Sequence, residues 1–430
     1  MNKKLFPILS AFLLLFSLIE KGQATETYRP ETSVAGFIQL PGSGRQVYNF
    51  NPGWRFFKGD IHGAESVDFD DRSWTIVSTP HTVELMPAEA SGCRNYQGPA
   101  WYRKHFVLPA ETKGKRVLIH FEAAMGKQVL YLNGKRIQEH VGGYLPFTLD
   151  LTTNGIQAGD SCLLAIFVDN SNDKSFPPGK PQYTLDFAYH GGIYRDVWMI
   201  AKSPVSITDP LDSQTVAGGG VFVHFDKISE KSAQVYVNTE LQNDNQHTET
   251  VTVETTLTDA DGKVIKRTSG KLSLKSGEKK IIRQQVEVKS PKLWSPDAPY
   301  LYRVQSCIKK GNQSIDGGIT RIGIRLAEFR GKDGFWLNGK PFGQLVGANR
   351  HQDFAYVGNA LPNSQQWRDA KRLRDAGCTI IRVAHYPQDP SFMDACDELG
   401  MFVIVATPGW QYWNKDVKFG ELVHQNTREM

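Results

Sequence analysis

The sequence predicts a multi-domain protein: two antiparallel β-sandwiches followed by a segment in which parallel strands alternate with helices. Three observations carry this. Short β-rich runs punctuated by turn residues fill Tyr48 to Ser203. A second series of regularly spaced strands separated by polar turns fills Pro204 to Arg325. From Val346 to Ala406 the pattern changes to strand, helix, strand, helix, strand, the spacing of right-handed crossovers in a parallel sheet.

In the first unit the predicted strands include Val117 to Phe121, Gln128 to Leu132, Cys162 to Val168 and Asp196 to Ile200, and Asn133-Gly134 is a strong hairpin signal. The pattern reads as a jelly-roll sandwich. Trp54, Trp74, Trp101 and Trp198 are expected to be core anchors rather than a lectin surface. Phe176 to Tyr189 is a Pro- and aromatic-rich loop long enough to reach a neighbouring domain. In the second unit, runs at Gln234 to Leu241, Glu249 to Asp259, Lys280 to Val288 and Tyr300 to Lys309, with turns at Asp261-Gly262 and Ser276-Gly277, predict an immunoglobulin-like sandwich. Phe335 to Lys340 reads as a hairpin leading into the third unit.

There, Leu345 to Ala348 starts an apolar strand and Asn349-Arg350-His351 follows it. Asn363 to Ala376 reads as a helix capped by Asn363 or Ser364, with Trp367, Ala370 and Leu373 on one side and Gly377 as its stop. Cys378 to Ala384 is the second strand and ends in His385-Tyr386-Pro387. Ser391 is the expected cap of a helix through Leu399, and Met401 to Ala406 is the third strand, followed by Thr407-Pro408-Gly409-Trp410. The continuous apolar runs suit a sheet buried on both faces. The polar clusters fall past the strand C-termini, where parallel α/β folds build their sites. Neighbouring strands lie about 5 Å apart, so His351, His385 and Trp410 are expected to converge.

The 430 residues carry a net charge of +5 with near-equal acids and bases, which gives no reason to expect a nucleic-acid or membrane partner. Met1 to Ala24 reads as a secretory signal, with Lys3-Lys4, an apolar core from Leu5 to Ile19 and small residues at Gly22-Gln23-Ala24, so a secreted or periplasmic location is expected. Cys93, Cys162, Cys307, Cys378 and Cys396 are scattered and form neither a disulfide framework nor a metal spacing.

Gly347-Ala348-Asn349-Arg350-His351-Gln352-Asp353, Arg382-Val383-Ala384-His385-Tyr386-Pro387 and Asp397 to Val403 together resemble the barrel start of glycoside hydrolase family 2, the β-galactosidases, β-glucuronidases and β-mannosidases, and most nearly its secreted β-galactosidase-like members. Phe121 to Ala124, Val129 to Lys135 and Gly191 to Val197 resemble that family's N-terminal sugar-binding domain, and Trp294 to Tyr302 its immunoglobulin-like domain. The resemblance implies four segments: a signal peptide at 1–24, a jelly roll at 25–203, an immunoglobulin-like sandwich at 204–325, and about three βα units of a TIM barrel at 326–430. It implies hydrolysis of terminal β-glycosidic bonds in carbohydrate catabolism, with an oligo- or polysaccharide as substrate.

By the same resemblance His351 and His385 contact sugar hydroxyls, Asp186 reaches the site from the jelly roll, and Asn349 and Arg350 brace the pocket, with Arg350 pairing a carboxylate. Trp410, Tyr412 and Trp413 are candidates for stacking on sugar faces or for lid packing. The catalytic acid/base and nucleophile of the family are glutamates after the fourth and seventh barrel strands, which places both beyond Met430 and assigns no catalytic residue here. The expectation is an inactive N-terminal portion that needs a complementing C-terminal half or an oligomeric partner; a non-catalytic secreted carbohydrate-binding protein is the alternative. Thr379 and Val383 depart from the family signature, and Val405-Ala406 stand where relatives carry acids, so no magnesium or other cofactor is expected.

Overall fold

The computed structural model describes residues 31–32, 39–86, 95–213, 215 and 218–430; the leader at Met1 to Ala24 and Cys93 lie outside them. The first unit is a sandwich of a five-stranded and a six-stranded antiparallel sheet. The six-stranded sheet places Pro99–Val107 between Trp54–Lys58 and Ser161–Asp169, and continues through Lys127–Leu132 to Lys135–Val141. Asn133 (φ 49°) and Gly134 (φ 83°) make the tight turn of the last hairpin, the left-handed pair that matches strand twist. The facing sheet carries Gln46–Asn49, Val197–Lys202, Arg116–Phe121 and Phe147–Asp150. All four tryptophans expected in the core are buried, Trp54 completely.

Pro99–Val107 is the central strand that apolar periodicity misses, because Arg103, Lys104 and His105 interrupt it. The chain buries these charges by giving each a partner. Arg103 donates to Asp71 at 2.7 Å. Lys104 donates to the Phe50 carbonyl at 2.6 Å and lies 4.0 Å from the centre of the Phe50 ring.

The second unit packs two four-stranded antiparallel sheets around Val235, Val237, Leu257, Val286 and Val304. Asp316, fully buried, joins it to the first. Its carboxylate accepts two hydrogen bonds from Arg45, at 2.8 and 2.7 Å, and one from the Ile207 amide at 2.8 Å.

The third unit begins with a three-stranded antiparallel sheet at Ala327–Phe329, Phe335–Leu337 and Lys340–Pro341. Three parallel strands follow: Gly347–Arg350, Ile380–Val383 and Phe402–Val405, with Asn349 opposite Arg382 and Arg382 opposite Ile404. Helices Asn363–Asp375 and Pro390–Leu399 cover one face, and Val417–Glu429 is a third helix. Strand alternation sends Arg350, Ile381 and Val383 under the helices, while Asn349 and Ile404 stand exposed on the other face. The expectation of continuous two-sided burial is therefore corrected within this segment.

The helix starts also differ from the sequence reading. Pro362, not Asn363 or Ser364, occupies the first cap position; the Asn363 amide instead donates to Asp196 of the jelly roll at 2.9 Å. Asp389 rather than Ser391 caps the second helix by accepting the Ser391 amide at 2.8 Å. Trp367 is 39% exposed and donates to Glu398, whereas Gln366 and Ala370 form the buried side.

The jelly roll and the α/β segment meet over buried carboxylates. Glu122 accepts from the Trp198 indole at 3.0 Å, and Asp196 accepts from Asn51 and Asn363, both at 2.9 Å. Burial, reinforced by the neighbouring Asp389 and Asp196, pushes the Glu122 carboxyl well above its usual range, and burial also raises Asp196. A carboxyl raised in the folded state stabilises the protein at low pH, and that contribution is lost as pH rises from about 4.3 through the raised folded value. Thermal stability should therefore fall as pH rises through that window, and Glu122→Gln, which keeps an acceptor for Trp198, should flatten the fall. Parallel stability-versus-pH curves for the two proteins would show that Glu122 is already ionised in the folded state.

Candidate active site

The C-terminal ends of the first two parallel strands deliver His351 and His385 to one place. Their ring centres are 5.3 Å apart at 78°. Phe187, from the jelly-roll strap Phe176 to Tyr189, packs against both, at 4.9 and 5.6 Å. Trp410 closes the far side, 5.5 Å from His385. Beneath them the buried Tyr386 stacks on Tyr144 of the jelly roll with centres 3.8 Å apart and planes 6° off parallel. Two units therefore build this crevice.

The hydrogen bonds give each imidazole a state. Arg382 donates to His385 Nδ1 at 2.9 Å; a guanidinium only donates, so Nδ1 is the acceptor and Nε2 carries the proton of the neutral ring. His351 Nδ1 lies 3.3 Å from the Tyr386 hydroxyl. Burial lowers the pKa of both histidines; for His385 the adjacent His351 and the Arg382 charge add to it. Each ring is neutral near pH 7, able to donate and accept at once, the requirement for binding a hydroxyl. Asp186 is exposed on the strap, and its charge reaches both histidines.

Of the other predicted site residues, Asn349 projects from the open sheet face beside Arg382 in register. Arg350, named as a brace that pairs a carboxylate, turns away from the crevice itself. Its side chain goes under the helices, donating to Asp369 at 2.7 Å, Gln366 at 2.8 Å and Gln388 at 2.6 Å, with the guanidinium 4.1 Å from the centre of the Phe392 ring. It braces the strand, and its carboxylate partner is Asp369. Tyr412 and Trp413 pack on Phe419, with centres 5.7 and 6.2 Å away. Trp410 remains 56% exposed at the mouth.

Sequence reasoning assigned no role to Arg382, Phe187, Tyr386 or Tyr144. For Arg382 a signal existed: it alternates with buried Ile381 and Val383, so it must face the open side. No local pattern marks Phe187 or Tyr144, because their partners lie on another unit. Among the described residues no three His, Cys, Asp or Glu side chains gather as a metal site.

The match to known proteins covers most of the chain. Residues 64–204 match the sugar-binding domain model of glycosyl hydrolases family 2, residues 219–325 the family 2 model itself, and residues 329–427 the family 2 TIM barrel domain model. The chain belongs to glycoside hydrolase family 2. It is 35% identical over 393 residues to a β-galactosidase of Thermoanaerobacter pseudethanolicus, covering 90% of this chain and 50% of that protein. It is 33% identical over 381 residues to a β-glucuronidase of Formosa agariphila, covering 85% and 38%. Among solved structures it matches Bacteroides uniformis β-glucuronidase 2 in covalent complex with a cyclophellitol-6-carboxylate aziridine, with a TM-score of 0.79 and 31% identity over 90% of this chain and 45% of that one. The chain thus spans about half the length, or less, of these relatives. For this family 2 chain the fold class is the jelly roll, the immunoglobulin-like sandwich and part of a TIM barrel.

The assigned protonation states are directly testable. Nitrogen chemical shifts of His385 should report a proton on Nε2 and a bare Nδ1 at pH 7, with a midpoint below the ordinary value of about 6.5. Arg382→Ala should raise that midpoint, because it removes a nearby positive charge. An unchanged midpoint would show that Arg382 does not set the state of His385.

Proposed function

We propose that this chain carries the sugar-hydroxyl-binding part of a β-galactosidase-like glycosidase, which hydrolyses terminal β-glycosidic bonds of oligo- or polysaccharides, and that the chain alone binds sugar without cleaving it. One observation supports the reading above the rest: two neutral imidazoles, an exposed carboxylate and an exposed tryptophan meet at one crevice past the strand ends. Neutral rings that donate and accept match the alternating demands of vicinal hydroxyls. The exposed Trp410 ring offers an apolar face to the C–H side of a sugar.

Hydrolysis with retention needs two carboxyls about 5–5.5 Å apart, one acid/base and one nucleophile. The acids beside the histidines are placed for other work. Asp353 lies 3.8 Å from His190; burial opposes its charge, but the hydrogen bond and charge of His190 hold its carboxyl below the usual range. Asp186 sits at a strap position suited to hydroxyl binding. Cleavage would then depend on carboxylates supplied by a complementing segment or a partner chain. A location outside the cytoplasm goes with this reading, and the signal-like run at Met1 to Ala24 supports it.

The purified 430-residue chain should show no turnover of p-nitrophenyl β-galactoside or β-glucuronide above background. Calorimetric titration with methyl β-galactoside should show binding that His385→Ala weakens about tenfold, the scale of one lost hydrogen bond to a neutral partner. Robust turnover by the chain would refute the division of labour proposed here. Binding unchanged by His385→Ala would remove the crevice from the sugar site.

A further inference from the structure

The immunoglobulin-like unit turns a strip of aromatic rings to solvent. Val221–Asp226 pairs with Ser232–Asn243, which pairs in turn with Lys279–Lys289. Alternation along these strands sends Val223, Phe225, Val235, Val237 and Val286 to the core. On the opposite face the register sets Phe222 beside Asn238 and His224 beside Tyr236, with Arg283 and Gln285 next to them on the third strand. The solvated face of an antiparallel sheet is ordinarily polar. Here two of the three outward positions of Val221–Asp226 are rings: Phe222 is 43% exposed, His224 is exposed, and Asp226 is the third.

The three rings are ordered. His224 and Tyr236 lie 9° from parallel with centres 5.0 Å apart, and Phe222 continues the run at 5.7 Å and 29° from His224. A cross-strand ring pair stabilises a sheet, which accounts for His224 on Tyr236. It does not account for a third ring left in water. Beside the rings the Gln285 amide donates to the Gln234 side-chain oxygen at 2.8 Å. That bond holds both amide planes, and it leaves the Gln234 nitrogen as a donor and the Gln285 oxygen as an acceptor on the same face. The charges there are Arg283, Asp226 and Glu287, of both signs, so the face is not built to select a strongly charged ligand.

We propose that this face of the immunoglobulin-like unit is a second saccharide surface, on which an uncharged polysaccharide chain lies along the strip of Phe222, His224 and Tyr236. Rings offer apolar surface to the C–H sides of sugars, and the fixed amides of Gln234 and Gln285 offer what hydroxyls need. The size of the patch decides against a protein partner. Three strands about 4.8 Å apart and four residue steps of about 3.4 Å span on the order of 150 Å². A stable protein interface buries about 800 Å² on each partner. The patch is too small for a second copy and sufficient for a narrow chain. None of its residues belongs to the crevice, which the first and third units build, so the surface retains the polymer while the crevice takes a terminal sugar.

The test is affinity electrophoresis of the 430-residue chain through gels containing laminarin, β-galactan, xyloglucan or the polyanion alginate. At least one of the three neutral polymers should retard the chain. Changing Phe222→Ala and Tyr236→Ala together should weaken that binding about tenfold, the scale of two lost ring contacts, with the melting temperature and the methyl β-galactoside affinity unchanged. Phe222→Ala alone should give part of the loss, and Phe222→Tyr, which keeps a ring, should give none. His385→Ala, which alters the crevice, should keep the retardation. No retardation by any neutral polymer, retardation by alginate alone, or retardation that survives the double change overturns the proposal and leaves the crevice reading standing. Retardation lost in His385→Ala assigns the polymer to the crevice and overturns it too. So does a dimer of the unaltered chain that the double change abolishes, since the face then meets a second copy.

Discussion

The geometry of the site depends on one buried guanidinium. Arg195 belongs to the jelly roll, yet it donates to the Gln352 side chain at 3.0 Å, to the Pro387 carbonyl at 2.8 Å and to the Tyr144 carbonyl at 3.3 Å. Gln352 follows His351, and Pro387 closely follows His385 and Tyr386. A single cation from one unit therefore holds the two loops that carry the imidazoles in the other. It is 2% exposed, so its charge has little water to fall back on, and buried donors of this kind are costly to leave unpaired. The loops cannot drift apart without stranding it. The parallel Tyr144–Tyr386 stack and the Asn363–Asp196 bond fix the same two units at neighbouring points.

This explains why a sandwich matters to a site at the end of parallel strands. Two strands set the separation of His351 and His385, but strand geometry alone does not set how the rings turn. Phe187 lies against both rings and Trp410 against one, so their orientation is decided by apolar contact from the strap and from the loop after the third strand. The hydrogen bond from Arg382 then settles the tautomer of His385. The controls thus come from three sources: the strand itself, the loop after the third strand, and the neighbouring domain.

How much of this was legible in the sequence follows from the range of each interaction. The strand–helix alternation, the Asn133-Gly134 hairpin, the tryptophan core and the convergence of His351 with His385 are consequences of local pattern and of strand spacing, and the structure shows them. The strand Pro99–Val107 was hidden because its buried charged side chains find partners distant in sequence, Asp71 for Arg103 and the Phe50 carbonyl for Lys104. The cap of the first helix was misread because Asn363, a good cap by type, is drawn off to Asp196 on another unit. The bracing role of Arg350 was legible, but not its partner: one residue of strand alternation turns it away from His351 to the opposite face, where Asp369 accepts its hydrogen bond.

The same alternation divides the charges of the third unit into two populations with different purposes. Arg350 points under the helices, is matched by Asp369 and capped by two glutamines, and is thereby spent on holding the strand. Arg382, its neighbour on the adjoining strand one register step away, points to the open face, where it donates to His385 Nδ1 and lies 5.5 Å from the centre of the Trp410 ring. The inward cation therefore holds the strand, while the outward one sets the tautomer of an imidazole in the crevice.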